Sequence, residues 1–403
     1  MTEGPVDDTE RAARMTMSRI VEPGDPDACR LVHEHSAAAL IERLPKGEHG
    51  TSKLTGWAAR LPGACADRLA EQAAAVGARY LCPGDGDWPP GLEDLDGIES
   101  SGRDRRGGRP FGLWVRGDLP PSAWARAVSV VGARSATAYG EQVAGDLAMT
   151  CAAAGWLVVS GGAYGIDAAA HRGALAAGRP TVAVLAGGID RLYPAAHLDL
   201  LTHIERRGLL LSEAAPGGSP SRSRFLVRNR LIAAITAGTV VVEAALRSGS
   251  LNTARWARDL NRHVLGVPGP VTSELSAGVH EMLRQHPEAV LVTAGADVVE
   301  QLSPIGEGLA PARSGVARPR DHLDPAAARL LDAVPLHEPV SARAIAYAGG
   351  VTLDETHALL AVLHRAGMVV LEPTGWRLAP LALHGQAPDP RTEGRPRPGA
   401  GHT

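Results

Sequence analysis

The chain has 403 residues, of which 44% are hydrophobic and 21% charged, with a formal net charge of −3. That length exceeds one ordinary core, so two or three domains are expected, and the composition excludes a disordered chain. The near-neutral total excludes a surface that is basic throughout, but it is compatible with a local cationic groove balanced by acid elsewhere.

Lysine occurs only at Lys46 and Lys53, so arginine carries the positive charge, and its planar fork suits phosphate oxygens. The four cysteines, Cys29, Cys65, Cys82 and Cys151, have no C-x-x-C spacing, which argues against a zinc site or a disulfide framework and fits a reducing cytoplasm. The first twenty residues hold no apolar signal core, and no run of about 18 apolar residues occurs, so secretion and membrane spanning are not expected.

In chain order, residues 1–81 read as a small helical domain of Ala-rich pieces separated by breakers such as Pro23-Gly24-Asp25-Pro26. Residues 82–110, rich in Gly, Pro and Asp and holding the basic run Gly102-Arg103-Asp104-Arg105-Arg106, read as a linker. From 111 to 303 short β-branched runs at 128–131, 156–160, 181–185, 209–211, 239–242, 263–267 and 289–292 alternate with helical stretches, the longest at 137–154. This predicts an α/β domain with a mostly parallel, Rossmann-like sheet, whose ligands bind beyond the carboxyl ends of the strands. Residues 304–321 read as a second linker. Helical patterns at 324–333, 341–348 and 353–366, then strands around Pro373-Thr374-Gly375, predict a C-terminal winged helix over 322–381. The Pro-, Gly- and Arg-rich tail, 382–403, is expected to be disordered.

The strand-end loops carry the candidate chemistry. Val131-Gly132-Ala133-Arg134 joins a tight turn to an arginine at a helix mouth, either an anion cradle or an ordinary strand-to-helix turn. Ser160-Gly161-Gly162-Ala163-Tyr164-Gly165 is a near miss to the dinucleotide fingerprint. No acidic residue ends the next strand to hold a ribose, so no nicotinamide cofactor is expected. Asp167 and His171 share a helix face, which suits a metal in principle and a cap with a hydrogen-bonded histidine more simply. Gly187-Gly188 and Tyr193-Pro194 follow the third strand.

Four arginines, Arg222, Arg224, Arg228 and Arg230, surround Phe225 in a loop expected to be mobile as it enters a helix. Base stacking beside phosphate neutralisation is what single strands require, although Phe225 could instead be core. Ser248-Gly249-Ser250 opens a later helix, with Ser250 a natural cap or anion binder. Glu243 is read as a tie for the neighbouring Arg-rich loop rather than as a general acid or base, since no nucleophile or matched histidine lies nearby in sequence. There is no G-x-x-x-x-G-K-[ST] phosphate loop and hence no sign of an ATP-driven motor.

Taken together, Val131-Gly132-Ala133-Arg134, Ser160-Gly161 through His171, Tyr193-Pro194, Leu211-Ser212-Glu213, Phe225 with Arg228-Asn229-Arg230, Val242-Glu243-Ala244, Ser248 through Ala254 and Val267-Pro268-Gly269 closely resemble the DNA-processing protein A (DprA, Smf) family in order and spacing. The resemblance covers residues 114–283. It implies a Rossmann-like domain that binds single-stranded DNA, dimerises, loads the RecA recombinase in natural transformation or recombination, and performs no enzymatic step. By position it implies a DNA pocket at Arg134, Gly161, Gly162, Phe225, Arg228, Asn229 and Arg230, and the loops around these add Gly132, Ser160, Tyr164, Gly165, Arg224, Ser248, Gly249 and Ser250 to the expected single-strand site. Tyr164 departs from a position that is often basic in the family, His197 from a common Asn, and Ser276 to His280 from a usual Gly-Asn segment.

Two other classes compete. A nucleoside-monophosphate hydrolase of a related Rossmann-like group would resemble P-G-G-x-G-T-x-x-E, and Ser248-Gly249-Ser250-Leu251-Asn252-Thr253 offers no such Glu. A duplex-binding regulator would use the winged helix, whose candidate recognition helix begins Leu353-Asp354-Glu355, carboxylates that repel phosphate.

Overall fold

In the computed structural model of the chain, residues 4, 6–44, 51–96, 98, 106–311 and 319–380 are described. Parts of both expected linkers (97, 99–105 and 312–318) and the whole tail from 381 lie outside these residues. Two compact units result, Met1–Pro311 and Ala312–Thr403.

The first unit begins with five short helices, α1 (Asp8–Ile20), α2 (Pro26–His35), α3 (Ala37–Arg43), α4 (Ser52–Arg60) and α5 (Ala66–Ala74). Oxygen caps define the starts of α1, α2 and α4: Asp7 accepts from the Glu10 amide, Asp25 from Asp27 and Ala28, and Thr51 from Leu54. Met17, Ile20, Leu40, Leu44 and Trp57 bury themselves among these helices.

The helices do not form a separate domain as the sequence suggested. Strand β1 (Ala78–Leu81) joins the main sheet, and Arg11 grips Asp85 through two hydrogen bonds of 2.8 and 2.7 Å. Nor is the described part of 82–110 a linker, because Trp88, Leu92 and Leu95 are buried in the largest apolar cluster of the unit. Strand β2 (Leu113–Gly117) follows, with Trp114 fully buried and its ring 4.6 Å from that of Tyr80.

The expected parallel sheet is present. Its strands are β3 (Ala127–Val131), β4 (Leu157–Ser160), β5 (Thr181–Leu185), β6 (Leu209–Ser212), β7 (Gly238–Val241), β8 (His263–Gly266) and β9 (Val290–Leu291). The order is β1-β2-β6-β5-β4-β3-β7-β8-β9, parallel from β6 to β9, with β2 antiparallel to β6 and β1 antiparallel to β2. β3 to β6 are buried along their whole length, as strands covered on both faces must be.

The crossover helices are α6 (Ala138–Ala153), α7 (Ile166–Ala176), α8 (Leu198–Arg207), α9 (Arg222–Ala234), α10 (Ser250–Asp259) and α11 (Glu274–Gln285), and α12 (Gly295–Leu302) follows the last strand. From β3 the chain moves to β4 on one side, while β7 returns to the other side of β3. That reversal opens a crevice at the carboxyl ends of β3, β4 and β7.

One buried ion pair fixes α9 above the sheet. Arg230, fully buried, donates to both oxygens of Glu213 at 2.7 Å each, and Glu213 directly follows β6. The same guanidinium donates to the carbonyls of Gly108 at 2.9 Å and Val227 at 3.1 Å, so one side chain joins the helix, a strand end and the segment before β2.

The second unit has helices α13 (Pro325–Asp332), α14 (Ala342–Gly349) and α15 (Leu353–Arg365), then the antiparallel hairpin β10 (Val369–Glu372) and β11 (Gly375–Leu378). Leu330, Ile345, Leu360 and Leu363 form its core. Thr352 and Glu355 close a capping box at the start of α15.

Removing one member of a buried pair leaves the other charge without compensation. Arg230→Ala is therefore expected to cost about 3 to 5 kcal/mol of folding stability, read as a lower urea midpoint at unchanged slope. The double replacement Arg230→Met with Glu213→Leu is expected to recover a large part of that loss.

Candidate nucleic-acid interface

A cleft of about 840 Å3 occupies the crevice. Its walls come from the loop after β3, the loop after β4, one face of α9 and the start of α10, so residues more than a hundred positions apart converge.

The α9 wall explains itself by helical spacing. Arg222, Phe225, Leu226, Arg228, Asn229 and Ile232 line the cleft, and these positions recur at three and four residues, one face of a helix. Ser221 starts the helix by accepting from the Arg224 amide at 3.3 Å. Phe225 therefore belongs to the first helical turn, not to a mobile loop. Its ring is partly exposed, and the Arg134 guanidinium carbon lies 4.2 Å from its centroid. Arg228 approaches to 5.8 Å, and the half-exposed Tyr193 ring stands 6.1 Å away.

Arg228 is buried beneath this ring. Its Nη1 donates to the Gly161 carbonyl at 2.8 Å and to the Val184 carbonyl, and its Nε donates to Asn229 Oδ1 at 3.3 Å. Among the described residues, Nη2 has no hydrogen-bond partner. Burial pushes this guanidinium down to about 10, opposed by the negative field of Asp167, so it remains a cation at neutral pH.

Gly161 is required at its position because a Cβ there would collide with the Arg228 guanidinium. Gly165, at φ +70°, starts α7 so close to the Ala133 carbonyl that a side chain would strike it. Asp167 Oδ2 accepts from the Gly161 and Ala163 amides at 3.2 and 3.3 Å. Burial raises its pKa against the field of Arg228 and those amides. The aspartate thus braces the glycine loop ahead of its own helix.

His171, fully buried, bonds Thr181 Oγ1 through Nδ1 at 2.8 Å. Because that hydroxyl gives its proton to the Val158 carbonyl, Nδ1 is assigned as the donor. Burial and then Arg228 push the imidazole down to about 3, so it is neutral. Among the described residues no group of three or more His, Cys, Asp and Glu gathers as a metal site.

The structure brings Gly132, Arg134, Phe225, Arg228, Asn229, Ser248, Gly249 and Ser250 to the cleft. Gly161 and Tyr164 line a recess of about 30 Å3 beside it, which shares the Arg134 and Phe225 wall. Ser160 faces inward and donates to the Val130 carbonyl at 2.7 Å, while Gly162 and Gly165 shape the loop without lining either hollow.

Two expected contacts are corrected. Arg230 cannot meet a phosphate, since it is fully buried against Glu213. Arg224 does not line the cleft either; its fork holds Glu22 at 3.0 and 2.9 Å.

Glu243 also differs from expectation. Both its oxygens are taken by Thr137, from the amide at 2.9 Å and the hydroxyl at 2.6 Å, so it anchors the start of α6 and not the Arg-rich loop. A negative charge at a helix N-terminus is stabilising there. Ser250 is the first residue of α10 and not its cap; its hydroxyl pairs with that of Ser248 at 2.7 Å, and Gly249 holds the cap position.

Arg222, Arg247, Asn252 and Thr253 line the cleft and were absent from the expected set. Arg222 was findable, being three residues before Phe225 on the same helix face. Four of the lining residues are arginines and one, Asp167, is acidic, which makes the cleft electropositive within a chain of net charge −3. Arg134, Arg222 and Arg247 are exposed and make no ion pair among the described residues.

With this geometry in place, comparison with known proteins gives a consistent answer. The family described as DNA recombination-mediator protein A matches residues 79–303. A protein of Mycobacterium tuberculosis that carries the name DNA processing protein DprA is 42% identical over 381 residues, covering 93% of this chain and 95% of that protein. Protein Smf of Escherichia coli is 34% identical over 285 residues, covering 68% and 73%. The crystal structure of DNA processing protein A from Streptococcus pneumoniae superposes with a TM-score of 0.60 at 26% identity, covering 75% of this chain and 99% of that one. The chain belongs to the DNA recombination-mediator protein A family.

Proposed function

We propose that the chain is a non-enzymatic mediator of DNA recombination that holds single-stranded DNA in the cleft beyond β3, β4 and β7. The observation that carries this reading is the partly exposed Phe225 ring, covered by Arg134 at 4.2 Å, in a glycine-floored cleft whose exposed arginines have no acidic partners among the described residues. A ring accepts an unpaired base by stacking, and free guanidinium groups neutralise the backbone beside it. A duplex keeps its bases stacked on one another and offers nothing to such a ring.

Asn229 positions this site. Its amide donates to the Gly249 carbonyl at 3.1 Å while its oxygen accepts from Arg228, tying the mouth of α10 to the buried cation. Base or nucleotide hydrolysis is not part of the reading, because the Glu243 carboxylate is fully engaged and Asp167 is committed to two amides.

Within that role, the protein is taken to work in the cytoplasm as a homodimer, to protect incoming or exposed strands, and to load the RecA recombinase in transformation or related recombination. The family description as a recombination mediator supports this. Among the described residues no helix is long and apolar enough to cross a membrane. The second unit, three helices and a hairpin, is assigned as a winged helix. With Asp354 and Glu355 in the first turn of α15, it suits a protein contact better than a phosphate backbone.

The test is anisotropy binding of single-stranded and duplex oligonucleotides over a salt series. The three exposed cleft arginines, at roughly −0.7 each, give an expected slope of log affinity against log salt of about −2 on single strands. Phe225→Ala is expected to weaken single-strand binding by about 1 to 3 kcal/mol, roughly 5- to 150-fold, with little change in slope. Arg134→Ala is expected to weaken binding and to flatten the slope by about 0.7. Duplex bound as tightly as single strands, or a Phe225→Ala variant with unaltered affinity, would overturn the proposal. Incubation with nucleoside monophosphates is expected to release no free base above the blank.

A further inference from the structure

A second arginine group lies outside the cleft, on the other side of the first turn of α9. Arg224 directs Nε and Nη2 to the two oxygens of Glu22 at 3.0 and 2.9 Å, and Nη1 to the Ser219 carbonyl at 2.9 Å. This is the bidentate geometry in which a guanidinium takes two oxygens of a phosphate.

Glu22 faces more positive charge than one arginine supplies. Arg106 Nη1 stands 4.0 Å from its Oε2 and has no hydrogen bond of its own among the described residues. The Glu22 carboxyl is held below the usual carboxylate range, first by the Arg224 hydrogen bond and then by the fields of Arg224, Arg106 and Arg60. Arg19 and Arg224 flank one turn, since side chains built at Gly217 and Gly218 would meet them at 4.0 and 3.0 Å. Arg19 and Arg60 are exposed and bind no carboxylate among the described residues.

The carboxylate is mounted to stay near this cluster. It follows α1, in a turn where Gly24 packs on Val227 of α9 and accepts from the Gly107 amide at 2.9 Å. Yet Glu22 remains 40% exposed and Arg224 20% exposed, so solvent and solutes reach the pair. The residue two before Arg224 is Arg222, which lines the cleft, so the two arginine groups adjoin at the mouth of α9.

We propose that Glu22 occupies, as an intramolecular stand-in, an outer phosphate subsite formed by Arg224, Arg106, Arg60 and Arg19, and that a strand leaving the cleft past Arg222 displaces it. This rests on the single-strand reading of the cleft and extends it. The helical region before the sheet then lengthens the nucleic-acid path, and the outer subsite engages only strands long enough to reach past Arg222 to Glu22. Short strands fill the cleft alone. Longer ones exchange a protein carboxylate for a backbone phosphate, a swap of one anion for another that leaves Arg224 paired throughout.

The experiment compares oligo-dT of about 4 and about 16 nucleotides, the span of sites seen in single-strand binders, on the full chain and three variants. Glu22→Gln keeps an acceptor for Arg224 but removes the competing charge. It is expected to tighten binding of the long oligomer about 2- to 5-fold, the range of an exposed ion pair, and to leave the short one unchanged. Arg224→Ala and Arg60→Ala are each expected to weaken only the long oligomer and to flatten its salt slope by about 0.7.

Among the described residues Arg60 bonds only the Gly56 carbonyl of its own helix, so Arg60→Ala tests the subsite without disturbing the pair. Equal effects on both lengths, or no effect of Glu22→Gln and Arg60→Ala on the long oligomer, would overturn the outer subsite alone. Wild-type protein whose short-oligomer affinity ignores Phe225→Ala would instead overturn the cleft reading on which it rests.

Discussion

The Arg230–Glu213 fork is the interaction on which the rest of the site depends. An ion pair without solvent access contributes little net stability, because desolvation of both charges offsets their attraction. Its value here is positional. With both oxygens and four guanidinium hydrogen bonds satisfied, only one rotation of α9 about its axis lets Arg230 reach Glu213 and Gly108 together. That rotation presents Phe225, Arg228 and Asn229 to the crevice and Arg224 to the helical region before the sheet. An apolar residue at 230 would bury as well but would tolerate a range of rotations.

A second constraint is the close approach of backbone to charge. Arg228 reaches the carbonyls at the ends of β4 and β5 only because position 161 has no side chain, and Glu243 reaches Thr137 only because position 140 has none. Both charged groups are buried, and both find polar partners in main-chain atoms or a hydroxyl. Buried polar groups must be satisfied in this way. The glycines that look like a nucleotide fingerprint in the sequence therefore serve internal charges as well as any ligand. The two roles agree, since a floor made rigid by Arg228 and Asp167 needs no reorganisation when an anion arrives.

The seven parallel strands were legible because a strand covered on both faces reads as an unbroken β-branched run, and their loops marked the site because strand ends converge at a topological reversal. β1 and β2 were not legible. They are short antiparallel strands at one end of the sheet, set among glycine, proline and aspartate, and what holds them is long-range, Tyr80 against Trp114 and Arg11 against Asp85. The Arg228-Asn229-Arg230 triplet shows where local pattern misleads. Arg228 and Asn229 follow Phe225 by three and four residues and share its face, whereas Arg230 follows by five, about 140° away at roughly 100° per residue. Helical phase alone separates the cleft arginine from the buried one. Glu22 as the partner of Arg224 has no local signature, being 202 residues distant.

The division of the arginines follows from how each is compensated. Arg230 and Arg228 are buried and bonded to fixed protein oxygens, so they act as structure, with Arg228 keeping one edge free. Arg134, Arg222 and Arg247 are exposed and, among the described residues, uncompensated, so their field extends into the cleft and weakens with salt. Arg224 lies between these cases, paired to a carboxylate that water reaches. A chain of net charge −3 thus concentrates attraction for a polyanion at the carboxyl ends of its central strands. Such a distribution orients an approaching strand before any base touches Phe225.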